Sequence, residues 1–241
     1  MRSSPSAPDS VGDPLSPGPA GFAHRGLHGP LVPENSLAAA AAAIAIGAGI
    51  EVDLRLSRDG VPVVFHDRDA RRMTGDPSVL SSAPAARIAE LRLRGVEETI
   101  PRLSDLLSLV AGKVPLLLEI KEERNTARFG PALVAALAGY PGPVGVMSFS
   151  SAIGTWLRRN APHIRRGLVM KGGEARFARW YDVRAVDPHF IALNVRHLGS
   201  DWAQDMRARM PVYAWTVNSP AARELASEFA DAAVWEADGR P

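Results

Sequence analysis

Two carboxylates stand one residue apart in Glu51-Val52-Asp53. Side chains alternate along an extended chain, so both acids project from one face. If that face is the interior of a barrel or the seam between strand and helix, two uncompensated carboxylates are very costly there. A divalent cation resolves the problem, and an all-oxygen donor set suits a hard ion such as Mg2+ or Ca2+. Glu119 could add a third carboxylate from a neighbouring strand, with Lys121 on the same side of that strand. The plain alternative for Glu51 and Asp53 is a solvated polar strand face, because exposed acids are the norm.

Two histidines also fall at the ends of short apolar runs, in His24-Arg25 and His66-Asp67. A single histidine in such a place is more often a structural hydrogen-bonding group than a catalyst. A pair could divide acid and base work across one scissile bond. A hard cation would not need them as ligands. Arg25 and Lys121 could bind a phosphate, the first as a bidentate fork and the second as a point charge. Their alternative role is ion pairing with Glu51, Asp53 or Glu119.

The elements that must position these groups follow a regular alternation. Apolar runs that read as strands start near residues 21, 50, 115, 144, 167, 190, 212 and 232, with helical stretches between them. Asn35 and Ser36 can cap the alanine-rich helix beginning at Leu37. Leu103, Leu106, Leu107 and Val110 repeat at helical spacing. Phe129, Leu133, Val134 and Leu137 mark another helix, and Ser219-Pro220 opens a later one. Pro62 to Phe65 reads as an extra short strand after the Arg58-Asp59-Gly60 turn. Residues 68–100 are polar, broken by Gly and Pro and weakly periodic, so they read as an excursion from the main architecture. Eight alternations predict a (β/α)8 TIM barrel, whose chemistry gathers where strands end. The competing doubly wound sheet lacks a glycine-rich phosphate fingerprint.

Composition excludes several classes. The chain has 241 residues, enough for a substantial core. Its 28 basic and 26 acidic residues leave a formal charge of +2, and no basic run suggests nucleic acid. It has no cysteine, which removes disulfides, thiolate metal sites and cysteine nucleophiles. No apolar run approaches a membrane helix, and residues 1–20 lack the apolar stretch of a secretory signal. Those residues are expected to be a disordered tail preceding a domain over 21–241, and the location is expected to be cytoplasmic.

Taken in order, His24-Arg25-Gly26, Pro33-Glu34-Asn35-Ser36, Glu51-Val52-Asp53, Asp59-Gly60, His66-Asp67 and Glu119-Ile120-Lys121 resemble the glycerophosphodiester phosphodiesterase family. Weaker matches follow at Met147-Ser148-Phe149 and Trp215-Thr216-Val217-Asn218. The resemblance covers residues 21 to 238. It implies a TIM barrel with a small insertion after the second strand, over about residues 68–100. It implies one divalent cation, Mg2+ or Ca2+, at Glu51, Asp53 and Glu119, with His24 and His66 as the catalytic pair. It implies phosphate contacts from Arg25 and Lys121. The reaction implied is hydrolysis of a small glycerophosphodiester to sn-glycerol 3-phosphate and an alcohol. Trp215 could line the glycerol or headgroup pocket, or serve only as a core aromatic. The end of the last strand departs from the common family pattern, reading Ala233-Val234-Trp235-Glu236-Ala237-Asp238 where many members carry Thr-Asp. Two other readings compete with this one. The first is the same chemistry on lysophospholipids; the second is a silent barrel with a binding role.

Overall fold

In the computed structural model, which describes residues 13, 15–121 and 126–241, the segment Gly49–Leu56 forms one of nine strands. Its even-numbered side chains Ile50, Val52, Leu54 and Leu56 are buried in the main apolar core. Its odd-numbered positions carry Glu51, Asp53 and Arg55, so the period-two pattern separates core from chemistry along one strand. In chain order the strands are β1 (Phe22–Ala23), β2 (Gly49–Leu56), β3 (Pro62–Val64), β4 (Leu116–Ile120), β5 (Val144–Ser148), β6 (Arg165–Met170), β7 (Phe190–Asn194), β8 (Val212–Val217) and β9 (Ala232–Trp235).

All of these except β3 join in parallel, in the order β1-β9-β8-β7-β6-β5-β4-β2. The ring closes because β1 pairs with both β2 and β9. Closure excludes the doubly wound sheet and establishes the expected (β/α)8 barrel. Strand β3 lies outside the ring, antiparallel to the overhanging end of β2 through Leu54–Leu56.

The helices are α1 (Leu37–Ala45), α2 (Arg71–Thr74), α3 (Ala85–Ile88), α4 (Leu103–Val110), α5 (Thr126–Leu137), α6 (Ser151–Asn160), α7 (Arg176–Val186), α8 (Asp201–Arg207) and α9 (Pro220–Phe229). Ser36 caps α1 by accepting from Ala39 N at 3.0 Å, and Ser219 caps α9, with Pro220 opening the helix. Asn35, read from sequence as a second cap, instead turns toward the barrel, as described below.

Two regions show more apolar packing than their sequence pattern suggests. The excursion over 68–100 is not merely polar: α2, α3 and two 3-10 turns enclose their own apolar core. That core holds Val63, Phe65, Met73, Leu80, Ile88, Leu93 and Ile100. Its helices are four-residue pieces, too short to show a period. Likewise, the expected tail is ordered at its inner end. Leu15 is fully buried in the barrel interior, and Asp13 pairs with Arg165 at 2.8 Å. The rest of that expectation, residues 1–12 and 14, lies outside the described residues.

Candidate active site

The interior of the barrel changes character along its axis. Strand register sets Glu51 beside Leu117 and Asp53 beside Glu119. The first pair marks the level where apolar filling gives way to charge, and the second lies nearer the C-terminal ends of the strands. Glu51 and Asp53 are fully buried, and Glu119 is nearly so. One ligand oxygen from each of the three can lie within 4.8 Å of the others. Glu51 Oε1, Asp53 Oδ1 and Glu119 Oε1 are buried without a hydrogen bond of good geometry.

Positive charge comes close but does not saturate the cluster. Lys121 Nζ approaches Glu119 Oε1 at 2.5 Å and Asp53 Oδ1 at 3.0 Å. Arg25 Nε lies 3.1 Å from Asp53 Oδ2, and the Arg25 backbone N–H donates to Glu51 Oε2 at 3.0 Å. Both cations therefore contact the carboxylates, the alternative role that their sequence positions left open. Burial pushes Glu51 well above the carboxylate range, and the charges of Asp53 and Glu119 push it further. Burial also raises Glu119, to about 7, against the pull of Lys121. Burial would raise Asp53 too, but Lys121 and Arg25 outweigh it and hold the group at about 2. Acids so arranged are ready for a further cation.

The backbone here is bent to the purpose. Arg25 has φ +55° and Asn35 φ +57°, both in the left-handed region that non-glycine residues seldom enter. The two are tied by Asn35 N donating to the Arg25 carbonyl at 2.9 Å. Asn35 Nδ2 donates to Asp53 Oδ2 at 2.9 Å, and the Asp53 N–H donates to Asn35 Oδ1 at 3.1 Å. Gly26, at φ +77°, lies so close to α1 that a Cβ would meet the Ala39 backbone at 2.8 Å. The His24-Arg25-Gly26 turn is thereby pinned between α1 and β2.

Both histidines stand at the same end of the barrel, each backed by an acid. His24 Nδ1 lies 2.7 Å from Glu236 Oε2, and His24 Nε2 lies 3.9 Å from Glu51 Oε2. His66 Nδ1 lies 2.7 Å from Asp67 Oδ1. A carboxylate only accepts, so each Nδ1 carries a proton and each Nε2 is left to act. The hydrogen bond to His24, with His28 Nε2 3.6 Å away, holds Glu236 far below the carboxylate range. Burial lowers His66, against the opposing pull of Asp53 and Asp67.

Several participants were not singled out from sequence. Glu236 occupies the last-strand position that departs from the family pattern, and no local signal reveals its partner 212 residues away. Arg55 donates to the His66 carbonyl at 2.8 Å and to the Lys121 carbonyl at 2.8 Å, holding the backbone of two site residues together. Its place on the Glu51-Asp53 face of β2 was a usable signal. Glu34 receives Arg25 at 2.7 Å and Arg72 at 2.7 Å, joining the excursion to the first loop. Trp215 donates through Nε1 to the Ala192 carbonyl at 3.0 Å and meets Phe149 edge-on at 5.3 Å. It packs on the apolar filling below and on Phe149, which is partly exposed, so the two alternatives posed for it are compatible.

A closed parallel barrel with acids, cations and paired histidines at the C-terminal ends of its strands defines an enzyme of the TIM-barrel class. Comparison narrows that class. The model of the glycerophosphoryl diester phosphodiesterase family matches residues 24–237, from His24 to just past Glu236. A glycerophosphodiester phosphodiesterase of Caldanaerobacter subterraneus subsp. tengcongensis is 30% identical over 165 residues, covering 63% of this chain and 67% of its own. A phosphodiesterase of Oleispira antarctica, solved with its product sn-glycerol-3-phosphate, superposes with TM-score 0.81 at 26% identity, covering 89% of this chain and 91% of that one. The Thermotoga maritima glycerophosphodiester phosphodiesterase shares the fold, with TM-score 0.75 at 22% identity over 89% of this chain and 92% of that one. The chain belongs to the glycerophosphoryl diester phosphodiesterase family and is an enzyme of that kind.

Proposed function

We propose that this enzyme hydrolyses small glycerophosphodiesters to sn-glycerol 3-phosphate and an alcohol, with one divalent cation and two histidines. The observation that carries the reading is the group of three buried carboxylates, each with an oxygen lacking a good hydrogen bond, directed to one small volume. Glu51, Asp53 and Glu119 would hold the ion, and their oxygen donors suit Mg2+ or Ca2+. When bound, the ion offsets charge on the phosphoryl oxygens and polarises the ester.

The remaining work falls to the chain's own groups. Arg25 and Lys121, already placed beside the carboxylates, bind the phosphate and oppose the charge that develops on it. Of His24 and His66, one takes a proton through Nε2 from the nucleophile, water or the glycerol 2-hydroxyl, and the other gives a proton to the departing alkoxide; where the 2-hydroxyl attacks, water then opens the cyclic diester to glycerol 3-phosphate. Glu236 and Asp67 keep each Nδ1 protonated and each ring oriented. Arg55 fixes the spacing of the His66 and Lys121 backbones. Trp215 and Phe149 form an aromatic wall for the glycerol or headgroup.

The test is direct. Purified protein incubated with glycerophosphocholine and Mg2+ or Ca2+ is expected to release glycerol 3-phosphate. No release with either ion, across choline, ethanolamine and glycerol headgroups, would contradict the substrate assignment.

A further inference from the structure

Helix α7 carries Phe177, Trp180, Tyr181 and Arg184 at i, i+3, i+4 and i+7. That spacing sets them on one face of the helix, and an apolar stripe of this kind normally faces a core. Here it faces solvent: Phe177 is 73% exposed and Trp180 and Tyr181 are each 58% exposed. Phe177 and Trp180 lie together, with ring centroids 6.0 Å apart. The helix is held to the barrel by the opposite side, through Val183 and buried Val186. Exposed aromatics concentrated in one turn call for a partner.

The surroundings specify its chemistry. Beside the stripe, α6, α7 and α8 border a cleft of about 830 Å³ lined by five arginines against two aspartates. One of those acids, Asp187, is engaged by Arg166 at 3.2 Å. Among the described residues Arg176, Arg184 and Arg209 make no ion pair. Arg179 stacks on Trp202 at 4.8 Å, and its Nε is buried without a hydrogen-bond partner. Asp182, the acid on α7, falls off the aromatic stripe.

We propose that this face docks on an anionic lipid bilayer. Aromatic rings with one apolar and one polar edge settle at the headgroup level, and flanking arginines draw them to negatively charged lipid. The cleft gives lipid phosphates a set of unpaired guanidinium groups. Location fits as well. Strand β6 ends at Met170 and α7 starts at Arg176, so the helix begins at the end of the barrel where the carboxylates and histidines lie. Lys171, in the connecting loop, lies 5.8 Å from the Phe149 ring, as does Lys121. Arg176 and Phe177, at the start of α7, are therefore the part of the docking face next to the site. This surface does not depend on which diester the enzyme cleaves.

The test is co-sedimentation of the full chain with phosphatidylglycerol vesicles and with phosphatidylcholine vesicles at low and high salt. Binding is expected to the anionic vesicles and to weaken at least about tenfold in phosphatidylcholine or high salt. Two variants, Phe177→Ser with Trp180→Ser and Arg176→Glu with Arg184→Glu, should each weaken it about tenfold or more. Both should keep wild-type turnover of a soluble substrate, which shows that they fold. Failure of wild type to bind anionic vesicles would overturn the proposal, as would equal binding by both variants. Self-association that the same variants abolish, without vesicle binding, would assign the stripe to a second copy of the chain instead.

Discussion

Along β4, Leu117 faces the apolar filling of the barrel while Glu119, two residues later, faces its mouth. The two ends of the interior are built on opposite principles. At the floor, Leu15, Phe22, Leu117, Met147, Phe190 and Tyr213 pack without charge, and the Phe190 and Tyr213 rings lie 5.1 Å apart. Gly167 makes room for them, since a Cβ there would sit 2.2 Å from Phe190. At the mouth, three carboxylates and two cations are crowded together with polar atoms left over. The floor gains from every contact, whereas the mouth keeps an arrangement that folding alone would not favour. A site poised for chemistry is a site of local electrostatic conflict, supported by a floor that has none.

That contrast can be broken from either side. At the mouth, Asp53→Asn keeps shape but removes a charge, and kcat/KM is expected to fall on the order of a thousandfold. The melting temperature should fall modestly, because Lys121 and Arg25 lose the carboxylate they hold ionised while relief of repulsion on Glu51 offsets part of that loss. Steady-state kinetics alongside thermal denaturation checks both halves. At the floor the reverse holds: Phe190→Ala is expected to cost about 3–5 kcal/mol in denaturant unfolding while turnover per folded molecule is retained. If turnover collapsed in Phe190→Ala with stability intact, floor and mouth would not be separable.

Glu236→Gln tests the orientation of His24. The carboxylate that fixes its tautomer is lost, and kcat should drop roughly ten- to a hundredfold. The loss should fall on kcat with KM nearly unchanged, a split that a purely structural role would not give. The smallest effect is expected at Glu34. Burial opposes its ionisation, but the hydrogen bond from Arg72 and the charge of Arg25 hold it at about 2. A depressed carboxylate stabilises the fold fully above its ordinary value of 4.5, and that contribution is lost as pH falls toward about 2. Urea unfolding of wild type and Glu34→Gln should therefore differ near neutrality and converge across that window.

The same contrast explains what the sequence reveals. The eight barrel strands were legible because buried parallel strands are continuous apolar runs, and the acids on β2 because their spacing is period two. Most of the mouth groups were legible by type and place. Their supports were not: Glu236 reaches His24 across 212 residues, and Asn35 looks like a helix cap until its side chain is seen on Asp53. Leu15 stands among Pro, Ser and Gly residues, with no periodic neighbour to mark it as core. The core of the 68–100 excursion is scattered over pieces too short to repeat. Local pattern encodes elements, while the contacts that tune a site are long-range and depend on closure of the ring.

The proposed role of the mouth's carboxylates is to hold a divalent cation. Calorimetric titration of Mg2+ and Ca2+ into chelator-stripped protein tests it most directly. Saturable binding of one ion per chain is expected in wild type, with loss in Glu119→Gln and return of glycerophosphodiester hydrolysis only on adding metal. Identical heats for wild type and Glu119→Gln, or full activity in the stripped protein, would contradict it.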